Sequence, residues 1–154
     1  MSAKAVLTTH DGDLLENPTS FREMVGSLQY LTITRPDIAF AVNSVSQFMS
    51  QPRAPHLIAA KCILCYVKGT LGHGLHFSPQ RQLAHLSAYS DADWAGCLES
   101  RRSMSGYLIY LSNTLVSWCS KKQPTISHSS AESEYRSLAH SSAETTWLGF
   151  LPMF

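Results

Sequence analysis

The chain lacks long apolar stretches. Its unbroken apolar runs are short, such as Ile38 to Val42, against the ~20 residues that cross a bilayer. No secretory signal is legible either. Neither a membrane span nor membrane attachment is therefore expected, and the chain reads as intracellular, with cytoplasm and nucleus both open. There is no excess of one charge: 12 basic and 11 acidic residues leave a formal +1. That excludes the strong positive field of a free-standing nucleic-acid binder, so any such binding must rest on a local patch. Arg101-Arg102 and Lys121-Lys122 are the only basic doublets. Cysteines number only four (Cys62, Cys65, Cys97 and Cys119), and without a signal they read as free thiols of a reducing compartment. Acids run out early as well. No aspartate follows Asp93, and after Glu134 the only acid is Glu144.

What is present is the composition of a folded protein: 44% hydrophobic and 15% charged over 154 residues, enough for one domain or two small ones. Residues 1–17 are polar and turn-rich (His10-Asp11-Gly12-Asp13, Asn17-Pro18) and read as a loose leader or linker. Residues 18–71 carry three helical signals. Ser20 with Glu23 has the spacing of a capping box ahead of Met24, Val25, Leu28 and Leu31. Pro36 suits a first helical position before Ile38, Ala41, Val42, Val45 and Phe48. Pro55 opens a third helix with Leu57, Ala60, Leu64 and Val67 inward, and Gly69 is its stop.

From Gly72 the period changes to two. Gly74 to Ser78 and Leu83 to Asp91 read as strands around a turn at Pro79. Met104 to Leu111 and Leu115 to Lys121 read as a hairpin across Ser112-Asn113-Thr114, and residues 94–103 as a polar loop. Ser129 and Glu132 make a second capping box for a helix from Ser130 to about Leu148, whose small residues Ala131, Ala139, Ser142 and Ala143 suit close packing on a sheet. The fold class is α+β: an N-terminal helical segment (18–71), then antiparallel strands and one helix (74–154).

Two acidic clusters stand out in this order. On a strand Asp91 and Asp93 point to the same side, because side-chain direction repeats every two residues. On a helix Glu132 and Glu134 diverge by about 200°, so they cannot share a role. Glu132 is taken by capping and by Arg136 at i+4, which leaves Glu134, one turn before Leu138, to face the sheet. Asp91 with Glu134 is thus the pair that could hold a divalent cation. Chemistry of the two-metal phosphodiester type needs several such carboxylates converging on ions ~4 Å apart.

Residues 18 to 148 resemble the polyprotein of copia-type LTR retrotransposons at the junction of reverse transcriptase and ribonuclease H. The strings that carry the resemblance are Phe21-Arg22-Glu23-Met24-Val25-Gly26-Ser27-Leu28-Gln29-Tyr30-Leu31, Thr34-Arg35-Pro36-Asp37-Ile38-Ala39 and Tyr89-Ser90-Asp91-Ala92-Asp93-Trp94-Ala95-Gly96. Arg101-Arg102-Ser103, Ser105-Gly106, Ser117-Trp118, Ser120-Lys121-Lys122-Gln123-Pro124 and Ser129 to Tyr135 complete them. The resemblance implies a partial ribonuclease H-like fold after the end of a reverse transcriptase. It also implies an ancestral cleavage of the RNA strand of RNA–DNA hybrids by four carboxylates and two Mg2+ ions. Asp91 matches the first carboxylate and Glu134 the helix glutamate, while Asp93 and Glu132 are neighbours. The third and fourth carboxylates have no counterpart here, so the chain by itself is expected to be inactive, with magnesium held weakly or not at all. The implied partners are the hybrid and the rest of the polyprotein, with no small-molecule substrate and no membrane. Lys121, Lys122 and Trp94 are the candidates to touch nucleic acid.

The resemblance also marks four departures. Cys62, Cys65 and His128 stand where arginine is usual, and Met104 where threonine is usual. Each change can arise by one transition at a CpG dinucleotide, which is the pattern expected of a methylated, decaying copy and is read from the coding DNA. Cys62-Ile63-Leu64-Cys65 lacks the second pair of a zinc site and lies in an expected helix, so both read as structural thiols. Trp118, mid-strand, is expected in the core. The functional readings left open are a nuclease fragment, a non-enzymatic nucleic-acid-binding remnant and a host-adopted interaction module.

Overall fold

The computed structural model describes residues 7–77 and 85–151. The chain divides into two compact units, Met1–Gly74 and Leu75–Phe154. The first is helical: α1 (Thr19–Leu31), a 3₁₀ turn (Pro36–Ile38), α2 (Ala39–Ser46) and α3 (Ala54–Gly69). Helical spacing puts Phe21, Val25 and Leu28 on one face of α1. These meet Ile38, Val42 and Val45, and Ala59, Ala60 and Ile63 of α3, in a single buried cluster. Phe21 is fully buried, and a side chain of that kind contributes about 1.5–3 kcal/mol. Pro36 and Pro55 each occupy a first-turn position, and Gly69 is the last residue of α3.

Three details differ from the sequence reading. α1 begins before the expected capping box, and it is the Asn17 carboxamide that accepts the Thr19 N–H, at 3.0 Å. Ser20 thus lies inside the helix. The inward face of α3 is His56, Ala59, Ala60 and Ile63, with Leu64 exposed. Residues 7–15 are no loose leader, because Arg53 and His56 bind them to the start of α3. Arg35, also buried, forks onto Asp37 (Nε to Oδ1 2.9 Å, NH2 to Oδ2 2.7 Å) and donates to Thr70 O and Oγ1 (3.0 and 2.8 Å). This fork ties the 3₁₀ turn to the end of α3.

The second unit is an antiparallel sheet in the order β1 (Leu86–Asp93), β2 (Met104–Leu111), β3 (Thr114–Lys122), with α4 (Ser130–Phe150) across β1 and β2. The β2–β3 hairpin closes through Ser112-Asn113, with Ser112 at φ 52°. Gly74 to Phe77 form no strand, and Ser78 and the turn at Pro79 lie outside the described residues. The sheet therefore has three strands among the described residues instead of four.

The face that α4 turns inward is Ser133, Ser137 and Ser141. The expected small residues Ala131, Ala139, Ser142 and Ala143 are exposed. Both sets recur at near-helical spacing; Ser137 selects the serine face by donating to the strand carbonyls of Asp91 and Gly106, while the buried Ser133 and Ser141 hydroxyls are satisfied within α4 by Ser130 O and Leu138 O. Trp118, expected in the core, is half-buried and shares its sheet face with Leu108, its register partner. No helix among the described residues is long and apolar enough to cross a membrane.

Candidate functional site

The site is built on the last residues of β1. Antiparallel pairing sets Asp91 opposite Gly106 and Ala92 opposite Ser105. Ala92 is buried, whereas Asp91 and Asp93 are exposed and share the other side of the strand, as the two-residue period requires. The Tyr107 ring, opposite Ser90, lies over His140 of α4 with ring centroids 5.5 Å apart. The α4 face is therefore that of Ser90, Ala92, Ser105 and Tyr107, and both aspartates project from the opposite face. β1 is an edge strand, and among the described residues nothing pairs with its outer side.

Glu134 is exposed, as is Leu138, so the glutamate does not face the sheet as expected. The residue before it does: Ser133 is fully buried. What links the two segments is Ser137, one turn beyond Glu134, whose hydroxyl donates to the backbone oxygen of Asp91 at 2.8 Å and reaches Gly106 O at 3.3 Å. This bond docks the α4 turn after Glu134 on the Asp91 backbone, but the Asp91 carboxylate projects from the sheet face away from α4, so the bond does not bring the two carboxylates together. Neither carboxylate enters an ion pair among the described residues.

Under this corner lies a polar hub. The Gln123 Nε2 donates to Ser105 Oγ (2.7 Å) and to Ser133 O (3.0 Å), and its Oε1 accepts from Ser127 Oγ (2.8 Å). Its backbone N–H donates to Ser103 O at 2.8 Å. One amide thereby joins β2, the end of β3, the β3–α4 loop and the first turn of α4. Ser103 Oγ accepts the Ala95 N–H (3.2 Å), and the Trp94 indole N–H donates to Ser127 O (3.1 Å). Gln123, Ser103, Ser127 and Ser137 were not among the sequence candidates. The one available signal was the helical spacing of Ser137, one turn beyond Glu134.

Trp94 keeps 48% of its surface exposed, so a ring edge is available while its N–H is anchored. Past it the chain turns sharply, with Ala95 at φ 56°. Gly96 sits under the Asp93 carboxylate, and a Cβ there would lie 2.0 Å from Oδ2. Asp93 is thus folded back over its own loop. Lys121 is exposed at the end of β3. Its neighbour Lys122 donates Nζ to Cys97 Sγ at 3.3 Å. Burial pushes the Cys97 thiol up, but the Ser100 backbone N–H and the hydrogen bond and charge of Lys122 outweigh it and bring the thiol down to about 7.

The start of α4 is fixed by Ser129, whose Oγ accepts the Glu132 N–H at 3.1 Å. The Glu132 carboxylate accepts the His128 N–H (2.7 Å) and pairs with Arg136 (2.6 Å), and Arg136 in turn bonds Thr125 Oγ1. The hydrogen bond from His128, and then the charge and hydrogen bond of Arg136, hold Glu132 below its ordinary range despite some desolvation. Glu132 is therefore engaged in capping, as its spacing indicated.

Comparison with known proteins relates the sequence to transposon polyproteins and to shorter proteins. The chain is 48% identical over 148 residues to the retrovirus-related Pol polyprotein from transposon RE1 of Arabidopsis thaliana, covering 96% of this chain and 10% of the relative. It is 40% identical over 151 residues to the corresponding polyprotein from transposon TNT 1-94 of Nicotiana tabacum, covering 96% of this chain and 11% of the relative. It is also 50% identical over 125 residues to a protein named secreted RxLR effector protein 161 of Plasmopara viticola, covering 80% of this chain and 87% of that one. No family model matches the chain, and no solved structure matches it. The chain spans about a tenth of the length of the transposon polyproteins, and over nearly all of its own length it is similar to retrovirus-related Pol sequences of transposons.

Proposed function

We propose that Leu75–Phe154 is the opening part of a ribonuclease H-like domain of a copia-type Pol polyprotein, and Met1–Gly74 the helical end of its reverse transcriptase. The observation that supports this reading is the Ser137 bond to Asp91 O, which docks the helix carrying Glu134 on the strand carrying Asp91, in the element order strand, hairpin, helix. In this reading Asp91 and Glu134 correspond to the first two of four carboxylates that would hold two Mg2+ ions against a scissile phosphate of the RNA strand; in this chain they project from opposite sides of the sheet and do not converge. The ions would supply an activated water and stabilise the leaving oxygen. Asp91 and Glu134 are the two members of that carboxylate set that this chain supplies, too few to hold both ions. Two exposed acids leave the second ion and the attacking water unpositioned, and positioning supplies most of such catalysis. The chain as it stands is inactive in this reading.

Contact with the hybrid runs through the exposed Lys121 ammonium and the open edge of Trp94. Lys122 contributes only by releasing Cys97. The test is a labelled RNA–DNA hybrid with magnesium, read for both cleavage and binding. No cleavage is expected, with weak, salt-sensitive binding that Lys121→Ala reduces. Losing one phosphate contact lowers the salt slope by about 1. Cleavage abolished by Asp91→Asn would overturn the inactive reading. Affinity unchanged by Lys121→Ala and Trp94→Ala would overturn the binding surface. A second reading, a non-enzymatic interaction module, draws on the relative of similar length that is named a secreted effector. It predicts a folded chain with no measurable hybrid affinity.

A further inference from the structure

The turn-rich segment 7–15 is fastened to the first unit by bonds that converge on the start of α3. Arg53 donates from Nε to Thr9 O (2.7 Å) and from NH1 to Gly12 O (2.6 Å). Ala54 N–H donates to Asp13 O (3.0 Å) and Leu15 N–H to Pro52 O (3.1 Å). Leu7 and Leu15 pack on the core cluster. Gly12 takes φ +78° where a Cβ would lie 2.6 Å from Pro55 Cδ, so the segment fits against α3 with no side chain to spare at that point.

At the centre is His56, fully buried, its ring stacked on Phe48 with centroids 3.9 Å apart and planes 15° from parallel. Nδ1 accepts the Arg53 backbone N–H at 3.0 Å, and Nε2 lies 2.9 Å from Thr8 O. A carbonyl cannot donate, so Nε2 must carry a proton. A backbone N–H cannot accept, so Nδ1 must not. Only the neutral ring with Nε2 protonated meets both conditions.

We propose that residues 7–15 are a strap latched by neutral His56, and that acid opens it. A proton on Nδ1 sets one N–H against another at 3.0 Å and adds a charge inside the core. The charged groups on the elements around the ring favour that outcome. On α3 the Arg53 guanidinium sits at the same turn. Beside Phe48, Arg22 of α1 reaches Met49 O and Ser50 O at 2.9 and 3.2 Å. On the strap, His10, Asp11 and Asp13 are exposed, and Asp11 accepts from the Thr8 hydroxyl at 2.6 Å. The Arg53 guanidinium, held on the strap carbonyls of Thr9 and Gly12, adds positive charge to the same latch and opposes a further cation there. Once Thr8 O and the Arg53 N–H let go, the Arg53 bonds to Thr9 and Gly12 and the backbone bonds of Ala54 to Asp13 and of Leu15 to Pro52 are the remaining hold, and when these yield the apolar sites under Leu7 and Leu15 come open. In a longer polypeptide the strap would be the joint to whatever precedes it.

The test is NMR on the whole chain. At pH 7.5 the His56 ring should be the Nε2–H tautomer. Between pH 7.5 and 5 the Thr9, Leu15 and Ala54 amides should shift together with the ring, while Val25 and Val42 stay put. Protection of the Leu15 amide, corrected for intrinsic exchange, should fall about tenfold per pH unit once the ring titrates, the slope of one linked proton. Gly12→Ala should give the open-strap spectrum already at pH 7.5, and the double variant Asp11→Asn/Asp13→Asn should keep the transition. His56→Gln, if it folds, should lose the transition; if it does not fold, the wild-type tautomer and amides decide alone. An Nδ1–H tautomer, strap amides still protected at pH 5, or a transition surviving in His56→Gln would overturn the proposal.

Discussion

Replacing Gln123 with alanine tests whether the hub under the acids holds the second unit together. The substitution removes two donated bonds, to Ser105 Oγ and Ser133 O, and one accepted from Ser127 Oγ. Gln123 is 5% exposed, so bulk water does not replace them. At about 1 kcal/mol net per bond, and about 1–3 kcal/mol for a buried group left unsatisfied, the loss is on the order of 3–5 kcal/mol. A unit the size of Leu75–Phe154 has roughly 4–12 kcal/mol of stability to lose. The assay is urea unfolding followed by tryptophan fluorescence. All three tryptophans (Trp94, Trp118 and Trp147) lie in this unit, so the signal reports it alone.

Gln123→Glu separates shape from chemistry. It fills the same space, but an ionised oxygen then faces the Ser133 carbonyl, and two acceptors repel. In the folded state this carboxyl would be raised above its ordinary ~4.3. Its contribution is therefore intact below the ordinary value and lost as pH rises through the raised one, so the variant should be worse at pH 7 than at pH 4, relative to wild type. A midpoint for Gln123→Ala within ~0.5 kcal/mol of wild type, the scatter of neutral surface changes, would refute the hub. So would a Gln123→Glu variant whose deficit does not change with pH.

Three further outcomes follow from local geometry. The Arg35 fork, and lesser help from Tyr66, hold the Asp37 carboxyl below its ordinary range despite desolvation. Its stabilisation is present above the ordinary carboxylate value and lost as pH falls through the depressed one, so Asp37→Asn should flatten the acid limb of the first unit's stability, read by circular dichroism. Cys97 should react with iodoacetamide along a curve with its inflection at about 7, and Lys122→Ala should move that inflection upward; an unmoved inflection would mean that the 3.3 Å contact does not act on the thiol. Gly96→Ala should turn the Asp93 carboxylate away, since it occupies the new methyl's position, at a cost of about 1 kcal/mol of the kind seen for off-rotamer side chains. A crystal structure of the variant with Asp93 unmoved would contradict this.

Much of the architecture was legible because it rests on short-range rules. The apolar spacing of Val25 and Leu28, the prolines at helix starts and Gly69 at a helix end act within a turn or two. The hairpin at Ser112-Asn113 and the Ser129 cap are equally local. What escaped was decided by partners far along the chain. Residues 7–15 look solvated until Arg53 and His56, over forty residues later, supply their bonds. The inward face of α4 was misjudged because alanine and serine stripes run side by side, and only the carbonyls of Asp91 and Gly106 choose between them. Of the site, the common side of Asp91 and Asp93 follows from strand period alone. The exposure of Glu134 does not, since it depends on which stripe faces the sheet, and Gln123 had no local mark at all.

The serine stripe of α4 has a thermal consequence. Ser133, Ser137 and Ser141 put hydroxyls where most helices put methyl groups, while Tyr135, Leu138, Trp147 and Phe150 stay exposed. Unfolding then hydrates comparatively little new apolar surface on this face, and apolar surface is what gives unfolding its large positive heat-capacity change. Calorimetry on the second unit should find a heat-capacity increment below the ~12–15 cal/mol/K per residue of ordinary domains, and hence a flatter stability curve. The helix is held in place by direction more than by adhesion: Ser137 can satisfy Asp91 from one rotation and one height along the strand, and a slip of one residue leaves it nothing to bond.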